Sequence, residues 1–463
     1  MASLSTASTA SSFGGPPHGG AAAPGTDRPA SSGATRAWPP RVRRASPASP
    51  VLAVLVLVGC DPAPEASPPE DRETAEAVEP GRPTPSRAAA APSRPDEYAP
   101  APGAPWVRRD PATVGMDPYL LGEAVEYALA HETTEIPEDP GVYLRERFRG
   151  LPDQEIVGPT TDRGGVSGMI LRDGYIVAEF GDTDREDMTF SVTKSYLSTL
   201  AGLAWAAGLI PDLDAPVSEL VSDGTFAGPR NGAITWRHLL QQTSEWEGTL
   251  FGKPDRADRR EGTDRTLQPP GTFWEYNDVR VNLLAYALLQ RLKRPLPEVL
   301  AQEIMDPIGA SDDWRWHGYR TSWVEVEGTP MQSVSGGGHW GGGLFIDTED
   351  HARFGLLALR FGRWGNRQII PAAWFTLATS PVDIHPGYGF MWWLNTDRGL
   401  LPAAPASAFM AVGAGWTNVI YVDRENRLVT VTRWLDGPQH VNGFVSRVLA
   451  SIGVRERPSE AGG

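Results

Sequence analysis

Ser191 and Lys194, three residues apart in the stretch FSVTKSY at 190–196, have the types and spacing that nucleophilic chemistry requires. The chain contains 42 basic residues but only three lysines, Lys194, Lys253 and Lys293. An arginine stays protonated inside a protein, whereas a lysine amine can become neutral if its surroundings favour that form. Lys194 is therefore a candidate for a position that needs an exchangeable proton. The alternative is that Lys194 has no special role and is one of the few lysines left in a chain whose composition favours arginine.

The spacing of the two residues suits a helix, because residues three apart lie on the same helical face. If Ser191 begins a helix, its hydroxyl lies beside the Lys194 amine and the helix leaves its backbone N–H unused. A serine hydroxyl is a weak nucleophile and needs a base. The apolar residues that follow, at 197–209, would desolvate the lysine and lower its pKa from about 10.4 towards roughly 7. Because S-x-x-K also occurs by chance, the motif needs further support.

Composition excludes several functional classes. The formal net charge of −15 argues against a nucleic-acid partner, which would need a basic surface. A single cysteine excludes an internal disulfide framework. Glycine runs at 335–343 and 411–415 lack the ending of a phosphate loop, and the G-x-S-x-G and H-E-x-x-H motifs are absent. The histidines show no metal spacing, and His351 is interpreted as a surface or core residue.

Three segments precede the folded body. Residues 1–40 are rich in Ser, Ala, Gly and Pro and are predicted to be a disordered extension, or a start-site artefact if Val42 is the true initiator. Residues 41–60 combine RVRR, a short apolar run and a final Gly-Cys, which resembles a lipoprotein signal with lipidation at Cys60. Residues 61–105 are rich in proline and are predicted to form a linker. We therefore expect an exported cell-envelope lipoprotein, held by its lipid on the periplasmic or outer-surface side of a bacterial membrane.

The folded body is predicted at 106–454, with a disordered tail at 455–463. The stretch at 166–181 predicts a hairpin that turns at Asp173-Gly174, and alternation at 417–434 predicts a second hairpin. Helices are predicted at 191–210, 235–244, 279–292, 297–308, 348–362 and 440–452. Strands at both ends with helices between them predict one sheet built from both ends of the body and an inserted helical region.

Five stretches resemble, in this order, the beta-lactamase-related serine hydrolases, which include class C beta-lactamases, DD-peptidases, esterases and 6-aminohexanoate-dimer hydrolases. They are FSVTKS at 190–195, ITWRHLLQQTSEWEG at 234–248, PGTFWEYND at 270–278, PIGASDDWRW at 307–316 and GGGLFIDTEDHARFG at 341–355. The resemblance covers about residues 110–453. It implies an α/β (α+β) fold of the penicillin-binding transpeptidase type, with a central antiparallel sheet flanked by helices and a mostly helical subdomain.

The resemblance also implies roles for individual residues. Ser191 becomes the acylated nucleophile, Lys194 its activating partner, and Tyr276 the group that passes a proton to the leaving group. The backbone N–H groups of Ser191 and Ala414 would form the oxyanion hole. The segment Ala-Val-Gly at 411–413 falls where the family has K-T-G or H-T-G on the strand that lines the site. The family needs no metal or organic cofactor.

Two departures from the family pattern bear on the substrate. Asp278 replaces the asparagine of the family's Y-x-N motif, whose tyrosine corresponds to Tyr276. Ala411 replaces the lysine or histidine of the K-T-G or H-T-G motif, so that position has no cationic or imidazole side chain. An ionised Asp278 and a missing cation would weaken the binding of carboxylate-bearing lactams and D-alanyl peptides. Arg280 or Arg315 is an alternative source of the missing charge. The residues predicted to border the substrate are Asp278, Gly413, Trp274, His339 and Trp340, within an aromatic set that extends to Trp392, Trp393 and Trp416.

The sequence therefore predicts a serine hydrolase that cleaves a small ester or amide through an acyl-enzyme on Ser191, activated by Lys194 and Tyr276. It favours an esterase or amidase over an efficient beta-lactamase. One alternative is a beta-lactamase or DD-peptidase that acts on cell-wall-type substrates. The other is a catalytically silent lipoprotein that binds a component of the cell envelope.

Overall fold

The computed structural model describes residues 98–151 and 153–453. The predicted N-terminal extension, the lipoprotein signal with Cys60, most of the linker and the tail at 455–463 lie outside the described residues. Among the residues that are described, no helix combines the length and the apolar character that crossing a bilayer requires.

The folded body begins earlier than predicted. Tyr98 stacks on Tyr175, with ring centroids 4.4 Å apart. The carbonyl of Pro100 accepts a hydrogen bond from the Trp364 indole at 3.0 Å. Residues 98–100, which were assigned to the linker, therefore pack against the domain, whereas residues 101–105 are exposed. The proline-rich composition of the linker does not reveal the partners that hold residues 98–100.

The described residues form ten α-helices and fourteen β-strands. The helices are α1 (Pro118–Leu129), α2 (Pro140–Arg147), α3 (Thr193–Ala206), α4 (Trp236–Leu240), α5 (Asp278–Leu292), α6 (Leu296–Leu300), α7 (Asp306–Ile308), α8 (Thr348–Leu359), α9 (Ala372–Ala378) and α10 (Gly437–Ala450). The strands are β1 (Ser167–Arg172), β2 (Tyr175–Phe180), β3 (Asp187–Met188), β4 (Thr249–Leu250), β5 (Lys253–Pro254), β6 (Arg315–Val326), β7 (Thr329–Val334), β8 (Gly343–Ile346), β9 (Arg363–Trp364), β10 (Arg367–Gln368), β11 (Trp393–Leu394), β12 (Phe409–Val412), β13 (Asn418–Asp423) and β14 (Leu428–Arg433).

Six antiparallel strands form the central sheet, in the order β11-β12-β13-β14-β1-β2. The hairpin predicted around Asp173-Gly174 forms β1 and β2, and the predicted C-terminal hairpin forms β13 and β14. The two hairpins are joined where β1 pairs with β14, with Met169 opposite Val431. The prediction of one sheet built from both ends of the folded body is confirmed.

Helices cover both faces of this sheet. Successive strand residues point to opposite faces. Ile170 accordingly enters the core that contains residues of α1 and α10, whereas its neighbour Leu171 enters the larger core that contains residues of α3, α5 and α8. Tyr421 and Ile420 of β13 divide between the two cores in the same way. The predicted architecture, an antiparallel sheet flanked by helices, is confirmed.

A second sheet, which was not predicted, has four strands in the order β3-β8-β6-β7. Strand β8 pairs with β6, with Leu344 opposite Trp316, and with β3, with Phe345 opposite Met188. The glycine run at 335–343 connects β7 to β8. Because β3 ends just before Ser191, this sheet brings the glycine run next to the predicted nucleophile.

Two predicted helices differ in extent from the observed ones. The helix expected at 235–244 is limited to α4. The helix expected at 297–308 is divided into α6, a π-helical stretch at Ala301–Met305 and α7. The remaining predicted helices correspond to α3, α5, α8 and α10.

Candidate active site

Ser191 lies in a short 3-10 helix, Phe190–Val192, which leads directly into α3. The residue before it, Phe190, has a φ of 50°, in the left-handed region that non-glycine residues rarely adopt. The hydroxyl of Thr193 donates to the Phe190 carbonyl at 2.6 Å and fixes this turn. Ser191 itself is half-buried, between buried neighbours. The turn therefore presents the serine at the start of a buried helix, as predicted.

The Lys194 ammonium connects three elements of the fold. Its Nζ lies 2.6 Å from the Ser191 Oγ, 3.2 Å from the Gly336 carbonyl oxygen and 2.8 Å from the Asp278 Oδ1. The Lys194 and Asp278 side chains are 1% and 4% exposed. Lys194 of α3 therefore joins Ser191, the start of α5 and the glycine run in one network.

The protonation state of Lys194 differs from the expected one. Burial lowers the pKa of Lys194, but Asp278 and Tyr276 outweigh this effect and raise that pKa above its ordinary value. Burial would raise the pKa of Asp278, but Lys194 and Arg260 hold it well below its usual range. The predicted fall of the lysine pKa is wrong, because it considered burial without the carboxylate. The resting site contains an ammonium–carboxylate pair.

We expect Asp278→Asn to shift the ascending limb of the pH–rate profile, along which Lys194 loses its proton, to lower pH. The substitution removes the carboxylate that raises the pKa of Lys194 and retains the burial that lowers it. Neutral amine, the form that can accept a proton, then becomes available at lower pH. The check is kcat/KM for an ester against pH, with Asp313→Asn, which removes an exposed carboxylate, as the control. An identical profile in Asp278→Asn and the wild type would contradict this assignment.

Tyr276 lies immediately before α5. The side chain of Asn277 caps this helix by accepting hydrogen bonds from the first backbone N–H groups, which orients the residue before it. The Lys194 Nζ lies 5.0 Å from the centroid of the Tyr276 ring, and the guanidinium carbon of Arg260 lies 4.9 Å from it. Trp393 stacks on the same ring, with centroids 5.6 Å apart. The Tyr276 ring is thus held close to Lys194, which contacts Ser191, and to a second cation, Arg260.

The two predicted oxyanion donors occupy similar positions in the chain. Ser191 lies in the first turn of one 3-10 helix, and Ala414 begins another directly after β12. Backbone N–H groups in the first turn have no partner within their own helix. A Cβ at Gly413 would lie 2.7 Å from the Thr189 carbonyl oxygen, so the end of β12 packs closely against the chain that leads to Ser191. This approach places Gly413, the residue before Ala414, against Thr189, two residues before Ser191.

The glycine run supplies backbone to the site where no side chain would fit. A Cβ at Gly338 would collide with the carboxylate of Asp278, and a Cβ at Gly337 would collide with the carbonyl of Phe190. The next residue, His339, donates its backbone N–H to the Asp278 Oδ2 at 3.0 Å. The run was noted in the sequence as a loop that does not bind phosphate, but its contact with Asp278 was not foreseen.

Two ring side chains predicted to border the substrate, those of Trp340 and His339, are buried. Trp340 is fully buried and donates its indole N–H to the Asp153 carbonyl at 2.7 Å. His339 is buried beneath it, with stacked rings whose centroids are 4.1 Å apart, and its Nδ1 lies 3.1 Å from the Asp258 Oδ1. Trp392 is also fully buried. These side chains support the site from behind and do not line an open cleft, because neighbouring groups cover them.

The aromatic surface beside Tyr276 has a different composition from the predicted one. Trp274 and Trp393 are half-buried and lie 6.1 Å apart, centroid to centroid. Trp274 also stacks on His385, with centroids 3.7 Å apart. Trp416 belongs to the rim of the core on the other face of the central sheet. The contribution of His385 was missed, since a single histidine in an irregular loop carries no sequence signal.

Neither Arg280 nor Arg315 replaces the cation that is absent at Ala411. Arg280 is buried, with its Nη1 2.7 Å from the Glu245 Oε1 and its Nη2 3.3 Å from the Asp255 Oδ2. Arg315 donates to backbone carbonyls of neighbouring residues at the surface. Arg260, which was not predicted, is the arginine that lies next to Tyr276.

Three buried groups lie close enough together to coordinate a metal ion. One ligand atom from each of Asp258, Asp278 and His339 lies within 4.8 Å of the others. However, the Lys194 ammonium is 2.8 Å from Asp278 and the Arg260 Nε is 3.6 Å from Asp258. The charges of both carboxylates are thus balanced by side chains, and a divalent cation would be repelled by the same two groups.

The chain matches the model of the beta-lactamase family over residues 147–433. It therefore belongs to the beta-lactamase family.

Several known proteins are similar to this chain. An uncharacterised protein of Alkalihalophilus pseudofirmus is 27% identical over 266 residues, which cover 52% of this chain and 72% of that protein. A beta-lactamase structure from Mycobacterium bovis is 20% identical, with a TM-score of 0.46 and coverage of 67% of this chain and 100% of that chain. A D-stereospecific amidohydrolase from Streptomyces is 17% identical, with a TM-score of 0.46 and coverage of 70% and 97%.

Proposed function

We propose that this protein is a serine hydrolase that cleaves an ester or amide bond through an acyl-enzyme on Ser191. The observation that carries the proposal is the 2.6 Å contact between the Ser191 Oγ and the Lys194 Nζ. A serine nucleophile needs a proton acceptor within hydrogen-bond distance, and this lysine occupies that position. Membership of the beta-lactamase family supports a hydrolase in general.

In the proposed reaction, the Ser191 Oγ attacks the substrate carbonyl carbon while its proton passes to the neutral amine of Lys194. The backbone N–H groups of Ser191 and Ala414 stabilise the oxyanion, and a donor of this kind contributes about 3 kcal/mol. The bond to the leaving group then breaks as Tyr276 donates its phenol proton to the leaving atom and recovers a proton from the Lys194 ammonium, which returns to the neutral amine. A water molecule then attacks the acyl-enzyme ester and gives one proton to Lys194. This proton passes back to the Ser191 Oγ as the ester C–O bond breaks, which releases the carboxylic acid and restores Ser191. The resting ammonium must first lose a proton, so the rate should rise with pH.

A serine-directed fluorophosphonate probe is expected to label the folded protein at Ser191. Labelling should disappear in Ser191→Ala, because the probe reacts with an activated hydroxyl and not with an ordinary one. Ser407→Ala, which removes an exposed serine, should label like the wild type. Intact-mass and peptide mass spectrometry locate the adduct. A folded wild type that remains unlabelled would instead support a silent member of the family that binds a component of the cell envelope.

Among substrates, we expect p-nitrophenyl butyrate to give a higher kcat/KM than nitrocefin by about tenfold or more, the value of one charged hydrogen bond. The reason is Ala411, a buried residue on β12 that offers no cation to a carboxylate held rigidly beside a lactam ring. Repulsion by Asp278, the other reason given from the sequence, no longer applies because Lys194 neutralises it. A clear preference for nitrocefin would favour a beta-lactamase.

A further inference from the structure

The His351 side chain links three elements of the fold. It was interpreted from the sequence as a surface or core residue, and it is buried in α8. Its Nε2 lies 2.7 Å from the Thr189 hydroxyl, and its Nδ1 lies 2.9 Å from the Tyr196 hydroxyl. Thr189 and Tyr196 are also buried. One imidazole thus joins α8, α3 and the residue that follows β3 through two buried hydrogen bonds.

These two hydrogen bonds suit a neutral His351 ring. A neutral imidazole has one N–H donor and one acceptor nitrogen, and a hydroxyl can take either role. The two hydroxyls therefore satisfy both nitrogens, whichever tautomer is present. Burial lowers the pKa of His351 well below its usual value, and the positive charge of Arg433 acts in the same direction. The ring therefore holds two hydroxyls in place and carries no charge.

Thr189, one of the two partners, directly precedes the 3-10 helix that carries Ser191. Its backbone N–H donates to a carbonyl of β8 at 3.0 Å, and its side chain is held by His351. The next residue, Phe190, has a positive φ, a conformation that persists only where the surrounding structure holds it. The hydrogen bond to His351 is thus the side-chain anchor of a strained turn.

The carbonyl of Thr189 connects this turn with the segment that carries Ala414. Gly413 packs against that carbonyl so closely that a Cβ at Gly413 would lie 2.7 Å from its oxygen. The backbone N–H of Gly413 in turn donates to a carbonyl of β13 at 2.7 Å, which fixes the segment before Ala414. Thr189 therefore lies between the two segments that contain the proposed oxyanion donors, Ser191 and Ala414.

We propose that His351 is a positioning residue: it fixes Thr189 so that the backbone N–H groups of Ser191 and Ala414 keep the spacing that an oxyanion requires. This inference rests on the proposed function, because an oxyanion forms only if Ser191 attacks a carbonyl. Donors placed for the oxyanion stabilise the transition state more than the bound substrate. Loss of the Thr189 hydroxyl should therefore slow the reaction without weakening the binding of the substrate.

The test compares Thr189→Val, which removes the hydroxyl at nearly constant volume, with Thr189→Ser, which retains it. For p-nitrophenyl butyrate, kcat/KM should fall by about tenfold or more in Thr189→Val, because small misplacements of a catalytic group are costly, and much less in Thr189→Ser. The affinity for an alkyl boronic acid, whose adduct with Ser191 places an oxygen at the donors, should fall by the same factor. Calorimetric binding of the ester should be equal in Ser191→Ala and Ser191→Ala/Thr189→Val, since neither forms an oxyanion.

Tyr421→Phe is the matched control. It removes another buried hydroxyl, which donates to Asp423 at 2.9 Å, and it should lower the unfolding temperature without changing kcat/KM. Variants of His351 test the same contact and decide the question if Thr189→Val does not fold. The amide of glutamine can take the place of Nε2 beside Thr189, whereas the shorter asparagine can replace only Nδ1. His351→Gln should therefore retain more activity than His351→Asn.

Three outcomes would overturn the positioning role. They are unchanged activity in Thr189→Val, equal losses in Thr189→Val and Thr189→Ser, and a loss of activity without a loss of boronic acid affinity. If the wild type hydrolyses no ester, the proposed function fails, and the NMR signals of the Ser191 and Ala414 amides decide the positioning role separately. Signals that move in Thr189→Val but not in Tyr421→Phe support it, and signals that stay in place contradict it.

Discussion

Replacing Lys194 by arginine should reduce ester hydrolysis almost as much as replacing it by alanine, by roughly 10²–10⁴-fold in kcat, the usual contribution of a general base. A guanidinium preserves the positive charge but stays protonated, so it cannot accept the Ser191 proton. The measurement is kcat and kcat/KM for the wild type and both variants. Substantial activity in Lys194→Arg would show that this position supplies charge and not proton exchange.

The stability of the same two variants should differ although their activities do not. Arginine at position 194 can still pair with the buried carboxylate of Asp278, whereas alanine leaves that carboxylate without its cation. An uncompensated buried charge costs about 3–5 kcal/mol. Thermal unfolding should therefore place Lys194→Ala well below Lys194→Arg. Lys253→Arg is the control, because Lys253 is another buried lysine. It measures how much stability is lost when arginine replaces a buried lysine outside the site.

Tyr276→Phe should lower kcat by roughly 10²–10⁴-fold, because it removes the proposed proton donor to the leaving group. The ring remains, and with it the stacking on Trp393, so little packing is lost. The loss should be largest for alkyl esters and amides, whose leaving groups need a proton, and smallest for p-nitrophenyl esters. A series of esters with leaving groups of increasing pKa measures this dependence.

Two results would argue against this role of Tyr276. One is a uniform loss across the whole series of leaving groups, which would indicate a disturbed site and not a missing proton donor. The other is activity close to that of the wild type. Tyr286→Phe provides the control, since Tyr286 lies within α5, the helix that follows Tyr276, and its hydroxyl donates to Asp223 and not to a group of the site.

The parts of the fold that were predicted correctly have local signals. Asp173-Gly174 marks a tight turn between alternating strands, and the apolar run after Ser191 predicts α3. The second sheet has no such signal. Strand β6 shifts register between Gly318 and Trp323, which breaks its alternation. Strand β8 emerges from the glycine run, and its partners lie far away in the sequence. Tertiary pairing alone defines these strands.

The site also combines features that the sequence reveals with features that it does not. The contact between Ser191 and Lys194 follows from helical spacing, which is visible in the sequence. The raised pKa of Lys194 was not predicted. The family pattern places Asp278 beside the lysine, but its effect on the lysine pKa depends on a close pairing and a burial that only the folded chain shows. Arg260 lies in an irregular segment without periodicity, so nothing in the sequence connects it with Tyr276.

The pairing of β1 with β14 has a consequence for how the chain acquires its structure. Ser167 and Arg433 are opposite each other in the sheet, although almost the whole domain separates them along the chain. The N-terminal hairpin is synthesised early and retains an unpaired edge until the last hairpin emerges. Contacts of such long range slow folding and leave strand edges open to aggregation meanwhile. The layer that supports Ser191 is therefore completed late, and the edge of β1 stays unpaired until synthesis of the domain is nearly finished.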